Sequence, residues 1–187
     1  MKRMLKYFAF ICAVTVLLSC GCNDDSFESF ELDLFEKNVI PFTTSSDLTY
    51  RSSDGSTTAI QATAKAIELS NRYSSDDESC AISLEEYQIN NYVSTAGELL
   101  YEVRIFKSTV FTSFQITDDD RAVYFIDGYE GVELEDFQET VITNGFQFND
   151  VFTFIPFSTS EVEFILYSTE DGINFIKYVD GSYLILE

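Results

Sequence analysis

The stretch Glu139–Glu187, ETVITNGFQFNDVFTFIPFSTSEVEFILYSTEDGINFIKYVDGSYLILE, decides the fold. Three dipeptides, Asn144-Gly145, Asp171-Gly172 and Asp180-Gly181, sit between apolar or aromatic runs. Asn-Gly and Asp-Gly tolerate the positive φ that tight type I′ hairpin turns demand at both central positions. The runs between them then read as strands over Glu139–Thr143, Phe146–Ile155, Val162–Ser168, Ile173–Val179 and Tyr183–Leu186. Sequential strands joined by tight turns make an antiparallel meander.

Working upstream, Asp127-Gly128 and Asp54-Gly55 repeat the signal. Strands are expected at Leu48–Ser52, Glu98–Phe106, Val110–Thr117 and Ala122–Ile126, with Asp118-Asp119-Asp120 as the turn between the last two. Several strands, such as Val123-Tyr124-Phe125-Ile126 and Phe152-Thr153-Phe154-Ile155, are apolar on both faces. That pattern belongs to a sandwich, a closed barrel or a sheet covered by a helix. Phe30, Leu32 and Leu34 alternate with Glu31, Asp33 and Glu36, which reads as a half-buried strand ended at Pro41.

Thr57–Tyr73 fits two periods at once. Ala59, Ala62, Ala66, Leu69 and Tyr73 share one helical face, while Ile60, Ala62, Ala64 and Ala66 alternate as in a strand. The alanines tip the reading to helix, although the Asp54-Gly55 turn upstream favours strand. Ser83-Leu84-Glu85-Glu86 matches a capping box and marks a second short helix. The fold class is therefore mainly β: a single antiparallel domain, a sandwich or a barrel-like meander, with one or two short helices.

The first residues carry an address. Lys2, Arg3 and Lys6 precede an uncharged apolar run of 11 residues from Phe8 to Leu18, the anatomy of a secretory signal. Helical, that run covers roughly 16 Å, about half of a hydrocarbon core. Leu17-Leu18-Ser19-Cys20 resembles the bacterial lipobox, in which a diacylglycerol is attached to the cysteine sulfur before cleavage exposes that cysteine as the new N-terminus. Multiple acylation anchors stably to a membrane. Cys22 is the poorer acceptor, because Ser19 would then stand where an apolar residue is wanted. The organisation expected is a signal peptide over 1–19, an acylated Cys20 with a polar tether over 20–29, and the β domain over 30–187. The Asp24-Asp25 pair behind the anchor resembles the export tag of surface lipoproteins in the Bacteroidetes group, so an outer-membrane lipoprotein facing the cell surface is expected.

The closing segment carries a second resemblance. Asn144-Gly145, Phe148-Asn149-Asp150-Val151, Tyr167-Ser168, Gly172-Ile173, Ile176-Lys177-Tyr178 and Tyr183-Leu184 resemble the end of many small uncharacterised lipoproteins of that group. The resemblance implies the same location and an antiparallel sheet. It implies no activity.

Composition narrows the chemistry. The chain has 32 acidic and 11 basic side chains; removal of Lys2, Arg3 and Lys6 with the signal leaves a net charge of −24. Such a surface repels phosphate backbones, which excludes nucleic acid, and it suits divalent cations or basic partners. There is no histidine, so Ser-His and Cys-His pairs and histidine-based zinc sites are absent. Cys22 and Cys80 either pair or stay free. No motif implies a cofactor.

Individual residues offer thin candidates. Asp118, Asp119 and Asp120 could place oxygens on calcium but lack the spaced loop such sites use. Glu161 and Glu163, two apart, would share a strand face as a carboxylate pair for glycoside hydrolysis; Glu133, Glu135 and Asp136 form a similar acidic group. Tyr124, Tyr129, Tyr167, Tyr178 and Tyr183 could stack on sugar rings or pack in the core. The leading expectation is a non-enzymatic module that binds a protein or glycan. The alternatives are a carrier of apolar ligands, a carboxylate-based hydrolase and an immunity protein.

Overall fold

The structure is a computed structural model that describes residues 27–73, 82–108, 111–129, 132–157 and 159–187. Cys20, Cys22 and Cys80, with the lipobox and the signal, lie outside the described residues. The chain divides into two compact units, Met1–Ser29 with Asn71–Leu84, and Phe30–Ser70 with Glu85–Glu187.

Among the described residues thirteen strands form an antiparallel sheet: β1 Phe27–Phe30, β2 Ser46–Ser52, β3 Thr57–Ala62, β4 Ala66–Tyr73, β5 Ile82–Ser94, β6 Leu99–Lys107, β7 Phe111–Asp118, β8 Val123–Tyr129, β9 Glu139–Thr143, β10 Phe146–Phe154, β11 Val162–Ser168, β12 Gly172–Tyr178 and β13 Tyr183–Leu186. A short helix α1, Leu34–Asn38, and a 3-10 turn, Leu134–Phe137, complete the described elements. The sheet runs β8-β7-β6-β5-β3-β2-β13-β12-β11-β10-β9, while β1 and β4 pair with β5 off that path. It is two meanders, β5–β8 and β9–β13, joined through the β2–β3 hairpin.

The larger unit curls into a half-barrel. Phe114 on β7 lies edge-on to Phe152 and Phe154 on β10 and to Tyr167 on β11, at 5.3, 4.9 and 5.1 Å between ring centroids. Strands near opposite ends of the path thus share one core. A seam draws those ends together: Tyr124 on β8 bridges to Pro156, and the Phe157 N–H donates to the Val123 carbonyl at 3.0 Å. Of the closures the sequence leaves open, the barrel-like curl is the one adopted.

The outer face of β9–β13 carries a second apolar layer, with buried Val151, Leu166, Phe175 and Ile185 under Phe146, Phe148, Phe164 and Tyr183. Phe164, Phe175 and Tyr183 stack ring on ring across three strands. This explains why these strands read as apolar on both faces. Register shifts accompany it. Residue Asn174 is the extra residue in β12 against β11, and Asp150 takes φ +53 between Phe148 and Val151 of β10, the signature of bulges that re-aim side chains.

Four expectations are corrected. Phe30 to Glu36 is not one strand, because Asp33 caps α1: its Oδ1 accepts the Glu36 N–H at 2.8 Å and Glu36 Oε2 accepts the Asp33 N–H at 2.7 Å. The working capping box is Asp33-Leu34-Phe35-Glu36, and Ser83-Leu84-Glu85-Glu86 lies inside β5. Thr57–Tyr73 is no helix but β3 and β4. Gly55 at φ +87 turns β2 back on β3, and pairing from Ser46↔Ala62 to Arg51↔Thr57 overrides the alanines. Finally, Asp127-Gly128 is no turn. Gly128 lies in β8 opposite Thr112, and a Cβ there would stand 3.3 Å from the Val132 carbonyl oxygen. That glycine serves a close backbone approach.

Candidate functional site

At one end of the half-barrel, the β7–β8 turn, the segment before β11 and the β12–β13 turn meet. The turn after β7 is Asp119-Asp120, with Arg121 at φ +65; Asp118, expected in the turn, is the buried last residue of β7. It brings Asp118 beneath itself: Oδ1 accepts the Ala122 N–H at 2.8 Å and Oδ2 accepts the Tyr124 hydroxyl at 2.9 Å. The Tyr124 oxygen also lies 2.9 Å from Ser160 Oγ, which accepts the Val162 N–H at 3.1 Å. The Tyr101 and Tyr178 hydroxyls lie close enough to influence one another's titration.

Beside this network lies a cleft of about 470 Å³, lined by Ser160, Glu161, Tyr178, Val179, Asp180 and Ser182. Glu161 is placed by its carbonyl, which accepts the Val179 N–H at 2.9 Å. Asp180 accepts the Ser182 N–H at 2.8 Å and its hydroxyl at 2.6 Å. Those bonds hold the Asp180 carboxyl below the usual carboxylate range, with Lys177 adding to the effect. Burial pushes the Tyr178 hydroxyl up, and the charges of Asp119, Asp180 and Glu161 push it the same way. Burial likewise raises Tyr124 and Tyr101. The cleft therefore offers anionic oxygens, hydroxyls, part of a tyrosine ring and the exposed Val179 side chain (68 % exposed). Such a surface accepts hydrogen bonds from ammonium, guanidinium or sugar hydroxyl groups.

The structure thus unites Asp118, Asp119, Glu161, Tyr124 and Tyr178, which the sequence singles out separately. Tyr101, Ser160, Asp180 and Ser182 went unnoticed; only the turn dipeptide Asp180-Gly181 pointed near them. Other candidates disperse. Glu161 precedes β11, and Glu163 falls at the register shift between Val162 and Phe164, so the pleat does not set the two side by side. Both Asp118 oxygens are engaged inside the protein, and among the described residues no three acidic or cysteine side chains come together as metal ligands. Tyr124 and Tyr167 are fully buried, while Tyr178 and Tyr183 are half-buried. Tyr183 lies 5.3 Å from Phe175 in the outer stack, with Lys177 Nζ 5.8 Å from its ring centre. Phe114, Phe152 and Phe154 fill the interior at 0 % exposure.

Glu133 and Glu135 line a second hollow of about 390 Å³ with Asp33, Leu34, Phe35 and Glu36. Glu36 is buried there, and its oxygens are taken by Lys107 Nζ at 3.0 and 3.2 Å, by the Thr112 hydroxyl and by the Asp33 N–H. It pins α1 to β6 and β7 and has no free capacity for a ligand.

No protein-family model, curated protein or solved structure matches this chain.

Proposed function

We propose that the chain is a bacterial envelope lipoprotein, acylated at Cys20 and displayed at the cell surface, whose acidic β domain binds a protein or glycan without catalysing a reaction. The observation that carries the binding role is the cleft around Tyr178, where Glu161, Asp180, Ser160 and Ser182 ring an accessible hollow. Its chemistry is that of a hydrogen-bond-accepting, anionic receptor. The lipobox and the acidic tether support the location, and the absence of histidine supports a binding rather than a catalytic role.

The test is a titration of the full chain in detergent against a panel of oligosaccharides and of lysine- and arginine-bearing peptides. Glu161→Lys reverses a charge at the rim without touching the core. It is expected to weaken the best ligand at least tenfold, on the order of the 1.4 kcal/mol that one charge-assisted hydrogen bond supplies. A ligand that binds Glu161→Lys as well as the unaltered chain does not use the cleft.

A further inference from the structure

The sheet ends at β9, and that end is open. Asn144 and Gly145 both have positive φ, +50 and +84, so a two-residue type I′ turn joins β9 to β10. In such a hairpin the residues flanking the turn exchange both hydrogen bonds, and every second residue repeats the arrangement. Thr143↔Phe146 and Val141↔Phe148 are those pairs. Thr140 and Ile142 therefore aim their N–H and C=O groups away from β10. Among the described residues no other strand pairs with β9, and neither residue enters another backbone hydrogen bond. Two donor–acceptor pairs, roughly 7 Å apart along the strand, match alternate residues of one added strand.

Proteins guard such edges with lysine, proline or a bulge in the edge strand. β9, Glu-Thr-Val-Ile-Thr, has no lysine or proline, and Ile142 stands 74 % exposed beside the open groups. The charge around it has one sign. Glu133, Glu135 and Asp136 lead into the strand, Glu139 opens it, and Lys177 is the one basic residue between 122 and 187, against thirteen carboxylates. A second copy of this chain brings the same charge, and a five-residue edge falls well short of the roughly 1,000 Å² that a stable interface buries.

We propose that β9 accepts an extended basic segment of a partner protein as an added antiparallel or parallel strand. Main-chain hydrogen bonds at Thr140 and Ile142 supply affinity, and the carboxylates along residues 133–139 select lysine or arginine flanks. This deepens the binding role proposed above by naming a partner class and an edge, and it does not use the Tyr178 cleft.

The probe is a synthetic peptide, Lys-Thr-Val-Thr-Val-Thr-Lys, titrated into the full chain in detergent. Two comparison peptides carry glutamate at both ends, or backbone N-methyl groups at alternate residues. The lysine peptide is expected to bind at least tenfold tighter than either, and to slow amide exchange at Thr140 and Ile142. Proline is tolerated on an edge where its missing N–H would face solvent, so Thr140→Pro and Ile142→Pro are expected to keep the sheet and lose binding tenfold or more. If a proline variant loses its circular dichroism, the N-methylated peptide decides. Equal binding of all three peptides, or full binding by folded proline variants, overturns the proposal. Loss of peptide binding in Glu161→Gln with full binding in Ile142→Pro moves the peptide to the cleft; the edge proposal then falls and the cleft reading stands.

Discussion

Two glycines that look alike in the sequence are expected to respond to alanine very differently. Gly172 and Gly181 each follow an aspartate, one opening β12 and one beyond its end, and take φ of +77 and +91. A left-handed backbone costs an alanine about 1 kcal/mol at either place. At Gly181 nothing lies within 4 Å of the added Cβ, so that is the whole cost. At Gly172 the Cβ would stand 2.1 Å from the Tyr92 hydroxyl oxygen and 2.8 Å from Phe42 Cε2. Tyr92 is 1 % exposed, and its hydroxyl accepts the Ile173 N–H at 3.1 Å. The ring cannot retreat into solvent, so the bond breaks and two buried polar groups lose partners, at about 1–3 kcal/mol. Overpacking against Phe42 adds about 1–3 kcal/mol more. Gly172→Ala should therefore be about 2–6 kcal/mol less stable than Gly181→Ala, a midpoint at least roughly 4 °C lower for a chain of this size. Urea and thermal unfolding followed by circular dichroism read the difference. Equal losses would refute the packing of Tyr92 and Phe42 against the β11–β12 turn.

The buried Glu36 makes a second prediction: Lys107→Met removes its counter-ion, leaves a carboxylate 2 % exposed without a charge partner, and should cost about 2–3 kcal/mol after allowing for the partial exposure of the lysine. Adding Glu36→Gln to Lys107→Met should recover part of that loss in urea unfolding, and an additive second loss would contradict the pairing. A third concerns alkali. Burial raises the hydroxyls of Tyr50, Tyr92, Tyr101, Tyr124 and Tyr167, so their folded values lie above the unfolded one of about 10. Stability from these groups is fully present below about pH 10 and is lost as pH rises above it, because the unfolded chain releases protons first. Tyrosinate absorbance should rise in two stages, the second together with loss of sheet; one smooth rise with the sheet intact would contradict the burial.

The legible part of the fold is the part whose signals are local. Asn144-Gly145, Asp171-Gly172 and Asp180-Gly181 all lie at chain reversals, although only Asn144-Gly145 has positive φ at both residues, and the strands Glu139–Thr143, Val162–Ser168 and Tyr183–Leu186 begin and end where turn residues and apolar runs place them. β5 escaped because its inward residues are polar: Glu86, Gln88 and Asn90 are at most 7 % exposed. Glu86 meets Lys37 at 3.4 Å and the Asn90 amide donates to the Thr63 carbonyl, so the apolar residues Tyr87, Ile89 and Val93 alternate on the less buried face. β3 escaped because alanine at position 62 reports helix propensity, whereas its burial is set by pairing with Ser46 and Tyr92, far away in the chain. The capping box at Asp33 is equally local, but the alternation of Phe30, Leu32 and Leu34 masks it.

The cleft was half legible for a similar reason. Composition and turn chemistry single out Asp118, Tyr124, Glu161 and Tyr178 one by one. Their convergence depends on the curl that brings β7–β8 against the β12–β13 turn, and no spacing in the sequence encodes that distance. The Ser160 and Ser182 hydroxyls meet Tyr124 and Asp180, contacts that no spacing in the sequence announces.

The proposed anchor at Cys20 has the most direct test. Cells expressing the chain or its Cys20→Ala variant are fed labelled palmitate and fractionated. The unaltered chain should carry the label and sediment with the outer membrane, whereas Cys20→Ala should carry none and leave that fraction. An unlabelled wild-type chain, or a Cys20→Ala variant labelled as strongly as wild type, would contradict the lipoprotein assignment.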